Sequence, residues 1–237
     1  MGEITSETVT VEVGDGTKMA AYHAKPQGGG RRPGLLVLQE AFGVNAHIRD
    51  VADRFAREGF ASLAPELFHR TAPGFDGRYD DFPSAMKQIQ AVTLEGLSAD
   101  LTAAHSWLID RGGVASGDVS AVGFCMGGRA AFLADSLLPL RAAASFYGAG
   151  IAPGLLDRAA KLSGPILLAW GGRDKHIPPE QIASVTAALR AAGKPFVNAE
   201  FSEADHGFFN DARTSFHPAS AAQAWALALQ FLKSRAE

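Results

Sequence analysis

The sequence predicts an α/β protein with a mostly parallel β-sheet covered by helices on both faces and an antiparallel hairpin at its N-terminus. Short apolar runs recur along the chain, and segments with apolar residues spaced by three and four separate them. Strands that alternate with helices form βαβ units, which build parallel sheets. A length of 237 residues and an apolar content of 47% suit one large domain over residues 1–237.

The individual elements follow from the local patterns. The hairpin is predicted from the alternating segment 9–13, a turn at 14–16 and an extended segment from Lys18. The next strands are predicted from apolar runs at 35–38, 61–64, 119–122, 142–147, 166–170 and 197–201. A helix ends near Gly59 and carries one apolar stripe formed by Ile48, Val51, Ala52, Phe55 and Ala56.

Two further segments are predicted from composition and periodicity. The last helix begins at Pro218 and has Ala222, Trp225, Leu229 and Leu232 on one side. Residues 68–82 are rich in glycine, proline and aspartate, which predicts a surface excursion. In folds of this kind ligands bind near the carboxyl ends of the strands, where this excursion is expected to lie.

Charge and composition exclude several classes of function. A net charge of −3 with no clustered basic face argues against nucleic-acid binding. No apolar run approaches the ~18 residues of a membrane span, and the first residues lack the pattern of a secretory signal. A single cysteine forms no internal disulfide, which favours a reducing compartment. We expect a cytoplasmic monomer or weak homodimer that needs no cofactor.

The only cysteine, Cys125, lies in the stretch VGFCMGGRAA. An apolar strand, then Gly-x-Cys-x-Gly, then an alanine-rich helix is the layout of the nucleophile elbow of α/β-hydrolases, with cysteine in place of serine. Gly123 and Gly127 leave room for the sharp turn. The following helix places positive partial charge near the sulfur, which favours thiolate. The alternative is a small, buried and unreactive cysteine.

Downstream residues follow in the order that α/β-hydrolases use. Asp174 comes after the apolar segment ILLAW, and His206 comes after the segment VNAEF. His206 can accept the thiol proton and later protonate the leaving group, while Asp174 fixes the tautomer and orientation of the imidazole. As alternatives, Asp174 is a helix cap or turn carboxylate and His206 an exposed loop residue.

Neighbouring residues offer competing assignments. Asp205 adjoins His206 but points in another direction in an extended loop, and His176 is too local to Asp174 to be its partner. His217 is expected to help start the last helix. A metal site would gather Asp174, His176, Asp205 and His206, but no spacing of histidine or cysteine typical of a metal site supports it.

Four segments together resemble the dienelactone hydrolase family, the carboxymethylenebutenolidases. They are LLVLQEAFGVNAHIRDVADRFAREGFASLAPELF, GFCMGG, GGRDKHIP and DHGFFND. The resemblance covers the chain from about residue 11 to residue 232. It implies a cytosolic single-domain hydrolase without a lid domain or metal, and it assigns the catalytic triad to Cys125, Asp174 and His206.

The resemblance also implies roles for residues of the QEAFG and CMGG motifs. In the family, the glutamate at the position of Glu40 contacts the resting thiol and accepts its proton as substrate binds. The alternative is a solvent-exposed glutamate at a strand end. The oxyanion hole is expected to consist of the backbone N–H groups of Ala41 and Met126.

Relatives that act on dienelactone hold the substrate carboxylate with two arginines. Arg70 falls where the family places one, whereas Asn210 stands where the other is expected. Arg213 lies three residues later and is a candidate replacement. Arg78 and Tyr79 could also reach the pocket, although Arg78 is better explained as a surface charge.

The sequence therefore predicts a hydrolase that cleaves a small ester or lactone through an acyl-enzyme on Cys125. A broader carboxylesterase, thioesterase or peptidase on the same fold is the first alternative. The second is a protein without catalytic activity in which Cys125 is an oxidisable switch, but the chain has no second cysteine to resolve an oxidised sulfur.

Overall fold

The computed structural model of the protein describes residues 2–234. Within that range the strands are β1 (Ile4–Glu12), β2 (Lys18–Pro26), β3 (Gly34–Leu38), β4 (Ala61–Pro65), β5 (Val119–Phe124), β6 (Ala143–Phe146), β7 (Ile166–Gly171) and β8 (Phe196–Phe201). The helices are α1 (Ala46–Arg57), α2 (Phe82–Ala91), α3 (Leu94–Asp110), α4 (Met126–Leu137), α5 (Ile151–Gly154), α6 (Pro179–Ala191) and α7 (Pro218–Lys233), with a 3₁₀ helix over Leu156–Lys161.

The strands form one sheet in the order β1-β2-β4-β3-β5-β6-β7-β8. Strand β2 is antiparallel to β1 and β4, whereas the pairs β3–β4, β6–β7 and β7–β8 are parallel. The chain divides within β5 into two compact units, one up to Ala121 and the other from Val122. The predicted α/β architecture with an N-terminal antiparallel pair is confirmed, and the single domain stays a prediction.

Burial explains which strands the sequence reveals most clearly. Every residue of β3, β4, β5 and β7 is buried, as expected for parallel strands packed on both faces. Strand β1 is mostly exposed and begins at Ile4, earlier than predicted. Its first residues are polar and show no apolar periodicity, but they pair with β2 in continuous register from Ile4 opposite Pro26 to Glu12 opposite Lys18.

Two predicted helix boundaries are confirmed, and local contacts account for them. Helix α1 begins after Asn45, whose side-chain oxygen accepts a hydrogen bond from the Ile48 N–H. It ends before Gly59. Helix α7 begins after His217, whose Nδ1 accepts a hydrogen bond from the Ser220 N–H.

The excursion after β4 is also observed, since residues 68–81 contain no helix or strand before α2 begins at Phe82. It contacts the turn after β3 in the same unit: the Gly77 N–H donates to the Phe42 carbonyl, and Asn45 Nδ2 donates to the Tyr79 hydroxyl at 2.9 Å. None of the helices in the described part of the chain combines the length and the apolar character that a membrane span requires.

Candidate active site

Cys125 lies between the last residue of β5 and the first residue of α4. Its backbone has φ 56° and ψ −118°, a conformation that residues other than glycine adopt only under constraint. The Cys125 N–H donates to the Phe146 carbonyl at 3.0 Å, and its own carbonyl accepts from the N–H groups of Gly128 and Arg129. The strand-to-helix turn is therefore held by hydrogen bonds on both sides of the cysteine.

Gly123, two residues before the cysteine, is required by the closeness of this turn. A Cβ atom at this position would collide with the carbonyl oxygen of Gly127 and lie 2.9 Å from the backbone nitrogen of Gly128. Backbone atoms cannot move aside as the end of a flexible side chain can. The sequence analysis proposed that glycine leaves room for the sharp turn, and the geometry at Gly123 agrees with this.

Asp174 and His206 form a buried hydrogen-bonded pair in the same unit as Cys125. The distance from His206 Nδ1 to Asp174 Oδ2 is 2.7 Å, and the two side chains are 8% and 1% exposed, respectively. The other oxygen of Asp174 accepts hydrogen bonds from the N–H groups of His176 at 2.7 Å and Ile177 at 3.2 Å. These backbone donors fix the carboxylate, and the carboxylate in turn fixes the imidazole.

The surroundings of His206 determine its protonation. Burial lowers its pKa, but the hydrogen bond to Asp174, a second hydrogen bond with Cys125 and the charges of both groups raise the pKa to about 10. Because Nδ1 faces Asp174, the other ring nitrogen is the one available to the sulfur. The hydrogen bond to Asp174 therefore favours an imidazolium at neutral pH.

Asp205 and His176, the competing candidates from the sequence, make other contacts. The Asp205 side chain accepts a hydrogen bond from the backbone N–H of His206 at 2.6 Å, whereas the His206 ring is paired with Asp174. His176 holds Asp174 through its backbone, while its ring lies against that of His206 with centroids 5.1 Å apart. In the described part of the chain no group of three or more histidine, cysteine, aspartate or glutamate residues is arranged to hold a metal ion.

Glu40, Ala41 and Met126 lie where the predicted elements place them. Glu40 and Ala41 are the second and third residues after β3, and both are about 1% exposed. Met126 is the first residue of α4, where backbone N–H groups have no partner inside the helix. Burial of Glu40 excludes the alternative in which it is a solvent-exposed residue at a strand end.

Arg70 has partners that the sequence did not suggest. Its Nε and Nη2 donate to Asp15 Oδ2 at 2.9 and 2.7 Å, and its Nη1 donates to Asp100 Oδ2 at 2.7 Å. Asp100 also bonds His69 at 3.0 Å. The guanidinium is thus neutralised by two carboxylates of its own unit, and a substrate carboxylate would have to compete with them.

The side chains of Asn210 and Arg213 have different contacts. Asn210 is fully buried, and its side-chain oxygen accepts a hydrogen bond from the Ala212 N–H at 3.0 Å. The guanidinium of Arg213 packs on the backbone of Gly207, where an added Cβ would lie 2.6 Å from Arg213 Cζ. Gly207 has φ +79° and directly follows His206. Arg213 therefore stands beside the candidate base, whereas Asn210 holds the turn.

One neighbour of the site was missed by the sequence analysis. Tyr147 follows β6, is fully buried and has φ 37°, which is unusual for a bulky residue. Its ring centroid lies 5.1 Å from that of His206. The stretch FYGAG after a buried strand was the available signal, since tight turns after strands often carry site residues.

A cysteine on a strand-to-helix elbow together with a histidine–aspartate pair, on a sheet of this topology, defines an α/β-hydrolase. The family model described as "Dienelactone hydrolase family" matches residues 19–236. The chain therefore belongs to the dienelactone hydrolase family and is a hydrolase.

Individual relatives agree with this assignment. A protein of Synechocystis sp. named "Putative carboxymethylenebutenolidase" is 36% identical over 220 residues, which cover 88% of each chain. One of Escherichia coli K12 with the same name is 37% identical over 231 residues, covering 92% of this chain and 83% of the relative. The crystal structure titled "Putative Dienelactone Hydrolase" from Klebsiella pneumoniae has a TM-score of 0.89 and 32% identity, covering 98% of this chain and 99% of that one.

Proposed function

We propose that this protein hydrolyses a small ester or lactone of the dienelactone type through a covalent acyl-enzyme on Cys125, with Asp174 and His206 completing a triad. The observation that carries the proposal is the 2.7 Å pair of His206 and Asp174, with His206 also hydrogen-bonded to a cysteine on a constrained elbow. The names of the relatives support the substrate class. We place the enzyme in the cytoplasm, because its one cysteine forms no internal disulfide.

The reaction proceeds in two halves. The thiolate of Cys125 attacks the carbonyl carbon, the ester C–O bond breaks, and His206 donates its proton to the departing alkoxide. Water then attacks the thioester carbonyl while the neutral imidazole accepts a proton from it. The C–S bond breaks, and the carboxylic acid leaves with thiolate and imidazolium restored.

The oxyanion formed in each half needs hydrogen-bond donors. We assign them to the backbone N–H groups of Met126 and Ala41. Met126 is the first residue of α4, a position whose N–H has no acceptor within the helix itself. Mutations that remove one such donor in other hydrolases cost about 2.7–4 kcal/mol of transition-state stabilisation.

We assign Glu40 as the group that accepts the thiol proton as substrate binds, which forms the thiolate that attacks, and that returns this proton to the sulfur once the acid has left. Its support is the burial of a carboxylate two residues after a fully buried strand. Glu40→Gln removes that acceptor, so we expect slower ester hydrolysis and an altered pH dependence of Cys125 alkylation by iodoacetamide. An alkylation profile identical to that of the wild type refutes this role for Glu40.

Arg213 is our candidate for holding an anionic substrate, because it lies beside the residue that follows His206. A charge-assisted hydrogen bond contributes ~1.5–3 kcal/mol, and each 1.4 kcal/mol is about tenfold in affinity. We expect Arg213→Ala to raise KM roughly tenfold or more for a carboxylated lactone and to leave a neutral ester unaffected.

Arg70→Ala is the matched comparison, since it removes an arginine that already binds two carboxylates. We expect it to lower thermal stability without changing the preference between carboxylated and neutral substrates. If Arg70→Ala abolishes the preference and Arg213→Ala does not, the assignment that the sequence favoured for Arg70 is correct.

The proposal is tested by assaying matched ester, lactone, thioester and amide substrates with the wild-type protein and the Cys125→Ala variant. We expect turnover of the ester and lactone by the wild type only. Preferential cleavage of the thioester or amide would instead identify a thioesterase or a peptidase on this fold. Stoichiometric labelling of Cys125 by a chloromethyl ketone, without turnover of any ester, would indicate a redox switch.

A further inference from the structure

His176 lies in the segment between β7 and α6, two residues after Asp174, and it is exposed. Its backbone N–H donates to Asp174 Oδ1 at 2.7 Å. Its ring meets that of His206 edge to face, with centroids 5.1 Å apart and planes at 74°. His176 therefore contacts both members of the His206–Asp174 pair, one through its backbone and the other through its side chain.

The ring of His206 has two aromatic neighbours of different character. Tyr147 is fully buried, and its ring centroid lies 5.1 Å from that of His206 with the planes at 59°. The Tyr147 N–H donates to the Ala169 carbonyl at 2.7 Å, which ties this neighbour to the sheet. His176 is the exposed neighbour, and it stands on a loop that the Asp174 carboxylate holds in place.

We propose that His176 is a positioning residue whose ring keeps the imidazole of His206 aligned on Asp174 through both halves of the reaction. The inference rests on the proposed role of His206 as general acid and base. His206 must exchange protons with the sulfur, the leaving group and then water without losing its Nδ1 hydrogen bond. A ring packed against it restricts rotation of the imidazole and keeps water from competing for that bond.

This role needs the ring of His176 and not its nitrogen atoms. His176→Phe keeps an aromatic edge of similar size at the same place, whereas His176→Ala removes the ring. Both variants retain the backbone N–H that binds Asp174. Because the side chain is exposed, neither substitution leaves a cavity in the core.

The matched control is Lys175→Ala. Lys175 is the exposed residue between Asp174 and His176, so this substitution alters the same loop without touching the His206 ring contact. Each variant is assayed for kcat and KM on a neutral ester, for the rate of Cys125 alkylation by iodoacetamide, and for thermal unfolding. Alkylation reports thiolate formation with a reagent too small to need substrate contacts.

We expect His176→Ala to lower kcat and the alkylation rate together by roughly tenfold, below the ~100-fold that a 1 Å misplacement can cost. KM and the unfolding temperature should stay close to the wild-type values. His176→Phe should restore most of both rates, and Lys175→Ala should match the wild type.

Three results overturn the proposal. A rise in KM with unchanged alkylation shows that His176 contacts substrate instead. Equal losses in the alanine and phenylalanine variants show that a nitrogen atom of the ring is what matters. Unchanged rates in both show that the ring has no role. Failure of the proposed function is recognised separately, because Cys125→Ala then retains hydrolysis whatever His176 does.

Discussion

Cys125→Ala is expected to reduce ester and lactone hydrolysis by roughly 10⁴-fold or more, the scale on which loss of a triad nucleophile acts. Alanine removes the only thiol of the chain and keeps a small side chain in the elbow. The turn is held by backbone hydrogen bonds to Phe146, Gly128 and Arg129, none of which involves the sulfur. The fold should therefore survive, as circular dichroism and thermal unfolding can show.

Cys125→Ser separates the shape of the nucleophile from its acidity. Serine fits the same constrained backbone and can accept the same contact with His206. Its hydroxyl is far less acidic than a thiol, so an imidazolium at neutral pH does not produce the corresponding alkoxide. We expect severe loss rather than rescue. An alanine variant that keeps most of its kcat, measured on freshly purified protein, contradicts the assignment of Cys125.

Asp174→Asn is expected to have the next largest effect, a loss of roughly 10²–10⁴ in kcat, because the equivalent substitution in a serine protease triad costs about 10⁴. An asparagine can present its NH₂ group to His206 Nδ1, which favours the wrong tautomer. The substitution also removes the negative charge that stabilises the imidazolium. The backbone donors of His176 and Ile177 still find a side-chain oxygen, so the loop should remain folded.

Asp205→Asn is the matched control. The Asp205 carboxylate accepts the backbone N–H of His206, and an asparagine oxygen can accept it as well. We expect this variant to retain nearly the wild-type rate. Loss of activity in Asp205→Asn equal to that in Asp174→Asn would make Asp205 the partner of His206.

The pair of His206 and Asp174 also predicts how the stability of the wild type and of Asp174→Asn depends on pH. The folded-state pKa of His206 is raised to about 10, above the ordinary 6.5, with the Asp174 hydrogen bond as the largest cause that raises it. A raised pKa contributes stability that is complete below about pH 6.5 and is lost as the pH rises through about 10. The stability difference between the wild type and Asp174→Asn, measured by urea unfolding, should therefore shrink over that range. A constant difference excludes a charged imidazole in the pair.

The sequence by itself determined the fold class, the order of the elements and the candidate triad. These depend on local information: apolar strands such as β3 and β7 are continuous in the chain, and an elbow at Cys125 needs glycine only two residues away. The positions of Asp174 and His206 after successive strands could be read in the same way, because parallel strands end at one edge of the sheet.

The tertiary structure alone decided what the polar side chains around these positions contact. Arg70 matches a family position, yet it binds Asp15, which lies 55 residues away, and Asp100, which lies 30 away. The ring of His176 packs on the ring of His206, which lies 30 residues away in the chain. The sequence spacing had argued only that His176 is not the partner of Asp174, and it gave no sign of this ring contact. Long side chains reach whatever opposite charge or ring the fold brings near them, and no periodicity in the chain encodes that distance.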